Sequence, residues 1–270
     1  MSNASLAPLV RLCVSPALIG VASAVAERRG PRAGGWFAAL PLTSGPVVLV
    51  FALERGSAFA AEASIGILLA VVALALYILV YCQASRRLGW PLSGALACIA
   101  YLSVLWPLGR MHVSLPLAFL SACAAVLGTR PFLPKDSQPL RRSRLPVWDI
   151  PSRMAIAAAL VWTLAELSTV AGPVVSGLLA PFPVVMTIMS TFLHRRDGAA
   201  VARRFLSSLL IGLISFAVFF VATGALLQRH GITTAFGVAT LGALGTHAMV
   251  LARAHADGPP FLEPHALERQ

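Results

Sequence analysis

Charged side chains are scarce in this chain. They make up 11% of its 270 residues, whereas a soluble domain carries roughly 25%. Apolar side chains make up 58%, and the mean hydropathy is +0.82. So few polar groups cannot cover a surface that faces water on all sides, which excludes an ordinary soluble domain. They are enough to cap a set of helices that lie in lipid, so the lipid bilayer is the first partner that the composition predicts.

Signatures of catalysis and metal binding are also missing from the sequence. It has no His-Glu-x-x-His, no Gly-x-Ser-x-Gly and no phosphate-cradling glycine loop. Its four cysteines form no Cys-x-x-Cys pair and show no metal-ligand spacing with histidine, so they are interpreted as small packing residues. We therefore predict no enzyme, no catalytic residue, no metal site and no cofactor.

Long apolar runs dominate what is present. A helix needs about 20 apolar residues to cross a hydrocarbon core of about 30 Å, and open sheet edges are not satisfied in lipid. The sequence therefore predicts an all-α integral membrane protein with about nine transmembrane helices. The expected spans are 7–26, 36–53, 60–83, 90–108, 112–129, 154–171, 174–193, 204–227 and 232–252.

The basic residues sort to one side of these spans. The net charge of +11 comes from 21 basic and ten acidic residues, in short clusters without an aromatic-studded basic stripe, so no nucleic-acid partner is expected. With nine spans, 17 of the 21 basic residues fall on the same side of the membrane. This bias predicts a plasma-membrane protein with its N-terminus outside and its C-terminus in the cytoplasm.

Two stretches are expected to lie outside the membrane. Residues 130–153 are rich in proline and arginine and predict a basic cytoplasmic loop that lies against anionic headgroups. Residues 253–270 predict a polar cytoplasmic tail.

An internal repeat emerges when the chain is aligned with itself so that position 11 falls on position 153. The coinciding pairs are Arg11 with Arg153, Gly35 with Gly177, Pro41 with Pro183, and Gly56 with Gly198. Repeat one then covers 7–108 (helices 1–4) and repeat two covers 154–252 (helices 6–9), with a linking helix in 109–129. Because an odd number of spans precedes the second copy, the two repeats are predicted to be inverted relative to each other.

This pattern resembles that of the GlpM-like bacterial inner-membrane proteins and their uncharacterised four-helix relatives. Their basic residue near the start of helix one is matched by Arg11 and Arg153, and their broken helix two by Gly177, Leu178 and Pro183, although its first proline stands one place later, at Pro181. The first repeat keeps Gly35, Pro41 and an intact Glu54-Arg55-Gly56 turn, which in the second has become Arg196-Asp197-Gly198. The resemblance implies a bacterial inner-membrane location and names no substrate.

Two interrupted helices form the expected substrate-binding site. A proline inside a helix removes one hydrogen bond and frees a carbonyl four residues earlier, which survives in lipid only where protein or a water-lined cavity satisfies it. Such helices at corresponding places in inverted halves indicate a transport site near the midplane, although prolines also kink helices for packing. The site residues are Pro41, Thr43, Ser44, Gly45 and Pro46 in helix two, and Pro181, Pro183 and Thr187 in helix seven.

Two titratable residues inside spans are candidates for proton coupling. Glu166 is the only acid well inside an apolar run, and an intramembrane carboxylate is a functional candidate by default. It lies near the outer end of its span, so an interfacial role stays open. His247 is the one histidine deep in a span, and its alternative is a hydrogen-bonded packing role.

These residues predict a small secondary transporter or permease for an unknown small-molecule solute. The first alternative is a non-transporting partner or scaffold subunit for the export of envelope polysaccharide or lipid. The second is an intramembrane enzyme that acts on lipid. Small residues in the last span, Gly237, Gly242 and Gly245, suit close helix packing or a homodimer.

Overall fold

The computed structural model describes residues 6–111, 113–134, 148–170 and 182–256, with side chains described in 13–111, 113–134, 148–163 and 182–253. Within these ranges the chain is helical and has no strand. The helices are α1 (Leu6–Arg29), α2 (Pro31–Ala38), α3 (Ser44–Arg55), α4 (Ser57–Ala84), α5 (Trp90–Leu108), α6 (Leu115–Thr129), α7 (Asp149–Val170), α8 (Val184–Asp197) and α9 (Ala199–Ala256). A short 3₁₀ turn, Arg130–Phe132, follows α6.

In the described part of the chain, four helices are long and apolar enough to cross a membrane. They cover Ser57–Ala84, Trp90–Leu108, Leu115–Phe132 and Ala199–Arg253. The last of these, α9, is not straight, because Gly231 has φ 76° and ψ 173°. The apolar helices therefore agree with the expected spans 60–83, 90–108, 112–129, 204–227 and 232–252.

Side-chain contacts show that α9 folds back on itself at Gly231. The rings of Phe219 and Phe236 lie 6.0 Å apart, and the hydroxyl of Ser215 lies 3.0 Å from Nδ1 of His247. On both arms, the contacting residues thus lie at increasing sequence distance from Gly231. The two arms, 199–230 and 232–256, form an antiparallel helical hairpin.

One end of the bundle collects most of the described arginines. The last turn of α4 meets the last turn of α8, where Tyr81 bonds His194, and the first turn of α9, where Arg203 bonds Ser85. The helix-terminal arginines at this basic end are Arg28, Arg29, Arg86, Arg87, Arg130, Arg195, Arg196, Arg203 and Arg204. Arg55, Arg110 and Arg229 follow helices that run the other way.

α1 and α7 run in opposite directions and pack on each other. α1 ends at the basic end and α7 begins there, with Ser23 of α1 bonded to Arg153 of α7. α4 likewise ends where the first arm of α9 begins, and these two helices are in contact there through Ser85 and Arg203. α7 begins at Asp149, ahead of the expected span 154–171, so Arg153 lies within a helix and not in the 130–153 loop.

Two glycines join consecutive helices in the same unusual backbone conformation. Gly56 between α3 and α4 has φ 90° and ψ 165°, and Gly198 between α8 and α9 has φ 90° and ψ 167°. This region of backbone space is open essentially to glycine alone. Gly30, between α1 and α2, has nearly the same conformation, with φ 98° and ψ 162°, so this glycine turn is a common way of joining helices in the described part of the chain.

Gly198→Ala should therefore lower stability by about 1–3 kcal/mol, because a Cβ forces strain into this turn. The measurement is the apparent melting temperature of the purified protein in detergent. Gly237→Ala is the matched control, since Gly237 lies in a helix with open space around it and should gain up to about 1 kcal/mol from alanine. Equal shifts in the two variants would contradict the strain argument.

Candidate functional site

The first helix interruption lies between α2 and α3, where the sequence places it. α2 ends at Ala38 and α3 begins at Ser44, so Pro41 lies in the turn and Thr43 is the residue before α3. The carbonyl of Pro41 accepts a hydrogen bond from the amide of Gly45 at 2.9 Å. Pro46 falls in the first turn of α3, where its missing N–H leaves no hydrogen bond unmade.

The first interruption packs against α9. Gly45 is buried opposite the ring of Phe219, and Ala39, 1% exposed, lies on Gly212. Only a glycine at position 212 leaves room for Ala39, because an added Cβ would stand 2.5 Å from the Ala39 Cβ. α9 therefore supplies the wall behind this turn.

His247 lies at the same place, on the second arm of α9. It is 8% exposed, its ring meets the ring of Trp36 edge-on at 5.3 Å, and Nδ1 lies 3.0 Å from the Ser215 hydroxyl. Ser215 donates its proton to the Gly212 carbonyl at 2.7 Å, so its oxygen accepts from His247. Nδ1 of His247 then carries the hydrogen, and Nε2 of the neutral ring keeps a free lone pair.

The second interruption directly precedes α8. Pro183 stands before the first helical residue, Val184, and its carbonyl accepts from the amide of Thr187 at 2.9 Å. Phe182 packs edge-on against Tyr101 of α5 with ring centroids 6.2 Å apart. Pro181, with Gly177 and Leu178, lies outside the described residues, as does the side chain of Glu166, whose backbone belongs to α7.

A line of polar side chains, here called the α4–α8 seam, runs from the second interruption to the basic end. Its members are Tyr77 and Tyr81 of α4 and Thr187, Ser190 and His194 of α8. The Tyr77 hydroxyl lies 3.4 Å from the Ser190 hydroxyl. The Tyr81 hydroxyl donates to the Ser190 carbonyl at 3.0 Å and lies 3.2 Å from Nδ1 of His194.

A second polar face of α8 holds an ion cluster against α1 and α7. Its members are Glu27 of α1, Asp149 and Arg153 of α7, and Arg196 and Asp197 of α8. Nη2 of Arg153 lies 2.6 Å from Asp149, and Arg196 lies 3.3 Å from Glu27 and 3.5 Å from Asp149. Nε of Arg196 also donates to both carboxylate oxygens of Asp197 at 2.9 Å.

Arg153 is the most buried member of this cluster. The residue is 1% exposed, its Nη1 donates to the Ser23 hydroxyl at 3.3 Å, and its guanidinium lies 5.2 Å from the ring centroid of Phe192. A helix-opening arginine is expected to extend to the headgroups. That expectation is wrong for Arg153, because the carboxylate of Asp149 one turn earlier and the hydroxyl of Ser23 hold it inside the bundle.

The predicted site residues thus fall on two different walls. At the first interruption, Gly45 faces α9, the helix that carries His247. At the second, Thr187 lies beside Tyr77 of α4 and Cys98 of α5. The described contacts of His247 are to Ser215 and Trp36 and include no carboxylate. Sequence reasoning named Thr187 of the seam and Arg153 of the cluster but missed the residues with which they are grouped. Their one visible signal was the polar spacing 187, 190, 191 and 194 along α8.

The described residues are therefore all-helical, with apolar helices that suit a membrane and with the seam and the ion cluster on two faces of α8. Comparisons of the chain with protein-family models, with curated proteins and with solved structures found no match. The resemblance to the GlpM-like proteins accordingly stays a prediction that rests on the residues quoted for it.

Proposed function

We propose that this chain is a small secondary transporter or permease of the bacterial inner membrane. It would cross the membrane nine times as two inverted repeats, with the N-terminus outside and the basic end in the cytoplasm. The two helix interruptions form its central site. The observation that carries the proposal is that α3 and α8 each begin shortly after a proline, Pro41 or Pro183, and end at a glycine with φ 90°, Gly56 or Gly198, positions that coincide in the sequence repeat.

Three features support this arrangement. Interrupted helices in corresponding positions of opposed repeats are a recurring design of transporters, in which the half-helix ends meet the solute near the midplane. α3 and α8 each begin at one of the interruptions, and the two helices run toward opposite ends of the bundle. A positively charged end of the bundle fits the cytoplasmic side of a membrane protein.

Thiol accessibility at the two interruptions tests the proposal. Ser44→Cys and Thr187→Cys are made one at a time after Cys13, Cys82, Cys98 and Cys123 have been replaced. Cys98 becomes serine, because a polar group belongs beside Thr187. We expect both cysteines to react with a small membrane-impermeant thiosulfonate, at rates that change with pH or with candidate solutes, because a transport site must be reached by water.

Three control cysteines allow the labelling result to be interpreted. Arg87→Cys is exposed at the basic end and must react, whereas Ile99→Cys, 63% exposed on the apolar face of α5, must stay unreacted if it faces lipid. Val48→Cys lies one turn beyond Ser44 and is 0% exposed, so it reports on loosening of the fold. If neither test cysteine reacts while Arg87→Cys does, the prolines are packing kinks, and the partner-subunit alternative replaces the transporter.

A further inference from the structure

The α4–α8 seam extends from the basic end to the second interruption, with the Ser190 carbonyl between the hydroxyls of Tyr81 and Tyr77. His194 stands in the last turn of α8, Ser190 one turn deeper and Thr187 in the first turn after Pro183. Tyr77 and Tyr81 lie one turn apart on α4 and are both 0% exposed. At a rise of about 1.5 Å per residue, the stretch from His194 to Thr187 covers about 10 Å of depth.

The hydrogen-bond directions along the seam are set by the protein. Tyr81 donates its only proton to the Ser190 carbonyl, so its oxygen accepts from Nδ1–H of His194. The neutral imidazole then keeps the lone pair on Nε2, where it is able to take up a proton. On the other side of Ser190, its hydroxyl donates to the Thr187 carbonyl at 3.2 Å and lies beside the Tyr77 hydroxyl.

The α4–α8 seam lies between the two halves, and the corresponding interface between α3 and α9 lacks it. The offset that places Arg11 on Arg153 also gives the counterpart of each seam residue in the other repeat. For Tyr77, Tyr81, Thr187, Ser190 and His194 these are Phe219, Thr223, Gly45, Val48 and Ala52. Four of the five counterparts carry no polar side-chain atom. If packing alone selected these residues, nothing would require the polar set on one side of the repeat and the apolar set on the other.

We propose that the α4–α8 seam conducts protons between the basic end and the second interruption, with His194 at its entrance. This rests on the transport function proposed above, and it makes the proton the coupling ion. A column of hydroxyls and one imidazole inside an apolar bundle is suited to pass protons but is too closely packed to pass a solute.

The transfer leaves every group of the seam neutral. A proton binds Nε2 of His194, and the Nδ1 proton passes to the Tyr81 oxygen as the Tyr81 hydroxyl releases its own proton. A water molecule or the rotated Ser190 hydroxyl carries that proton past the Ser190 carbonyl to the Tyr77 hydroxyl. Tyr77 in turn releases a proton beside Thr187 at the interruption. The charge that acts on His194 from a neighbouring element is Arg203 of α9, and no carboxylate is among the described contacts of His194.

Proton flux in proteoliposomes tests the seam without knowledge of the solute. The full-length protein is reconstituted with pyranine inside the vesicles, and a potassium gradient with valinomycin drives protons inward. We expect the wild type to acidify the lumen faster than protein-free vesicles do. Tyr81→Phe and Ser190→Ala should each slow this flux about tenfold, because each removes one hydroxyl of the relay.

A matched variant separates the relay from folding. Ser64→Ala removes a buried serine hydroxyl that lies outside the seam and bonds the Ala60 carbonyl of its own helix. It should conduct like the wild type, and all variants are compared at matched melting temperature and size-exclusion profile. Flux equal to that of protein-free vesicles, or flux unchanged in Tyr81→Phe and Ser190→Ala, would overturn the proton path. Thiol labelling at Ser44, which lies outside the seam, would still report on transport separately.

Discussion

Arg153→Leu should lower the apparent melting temperature in detergent by roughly 10 °C, the largest loss expected from any single charge change at the basic end. The wild-type cluster holds three carboxylates, from Glu27, Asp149 and Asp197, against the guanidinium groups of Arg153 and Arg196. Without Arg153, Arg196 alone faces all three. Asp149, whose side chain is only 12% exposed, would then lose its nearest cation.

The size of this effect follows from burial. Removing one partner of a buried ion pair costs about 3–5 kcal/mol, because the remaining charge stays desolvated. An exposed pair contributes no more than about 1 kcal/mol. With a side chain 2% exposed, Arg153 belongs to the first class. Its loss would also release the contacts through which α7 is tied to Ser23 of α1 and Phe192 of α8.

Two further variants identify the charge as the cause. Arg87→Leu changes an exposed arginine at the same end and should shift the melting temperature by less than about 2 °C. Arg153→Leu combined with Asp149→Leu restores the balance of charges and should recover part of the loss. If Arg153→Leu melts like Arg87→Leu, water reaches the cluster and the buried-pair argument is wrong.

The sequence was informative wherever one helix alone decides the outcome. The run 90–108 predicted α5 to the residue, Pro41 predicted the turn between α2 and α3, and Pro183 stands directly before α8. Both predictions depend on local rules, namely apolar length and the missing N–H of proline. The turn at Gly231, expected between the spans 204–227 and 232–252, belongs to the same class.

The polar contacts of α7 and α8 were not predictable from the sequence, for a different reason. Ser190 meets Tyr77 across 113 residues, and Arg153 meets Ser23 across 130. Such pairs depend on which faces of which helices meet, and hydropathy does not encode this in a chain whose helices are apolar almost all round. The sequence therefore showed that Arg153 repeats Arg11, but not that Arg153 turns inward.

The repeat itself extends beyond the positions first used to find it. At the offset that joins Arg11 to Arg153, Gly30-Pro31 recurs as Gly172-Pro173 and Gly89 recurs as Gly231. Gly89 directly precedes α5, and Gly231 directly precedes the second arm of α9. The two glycines differ in backbone conformation, with φ -67° at Gly89 and φ 76° at Gly231, and the inverted repeat stays a prediction from the sequence.

α2 packs tightly against α9, and Gly35 is the residue that permits this contact. A Cβ on Gly35 would meet the carbonyl oxygen of Phe205 and the hydroxyl of Ser208, both well inside the 3.0 Å that Cβ atoms keep from other atoms. Phe205 is 0% exposed and its carbonyl belongs to the backbone of α9, so it cannot yield as a flexible side chain would. Small residues allow helix backbones to approach in this way inside membranes.

Gly35→Ala should therefore destabilise the protein by about 1–3 kcal/mol, through overpacking between α2 and α9. The same change in an open helix has the opposite sign, since alanine is favoured over glycine by about 0.5–1 kcal/mol in a helix interior. Gly66→Ala in α4 is that control, because nothing lies within 4 Å of its added Cβ. Melting temperatures of the two variants should move in opposite directions from that of the wild type.

Gly35→Ala should also change how accessible the first interruption is, and this accessibility gives a second measurement. α2 carries Trp36 against His247 and leads directly into the turn at Pro41, so a displaced α2 opens the first interruption. Gly35→Ala should raise the thiosulfonate reactivity of Val48→Cys, which is fully buried when the helices are packed, while Gly66→Ala should leave it unchanged. If Gly35→Ala is as stable as Gly66→Ala and Val48→Cys stays unreactive, α2 does not pack on α9 through Gly35. The wall behind the first interruption would then have to be formed by other contacts.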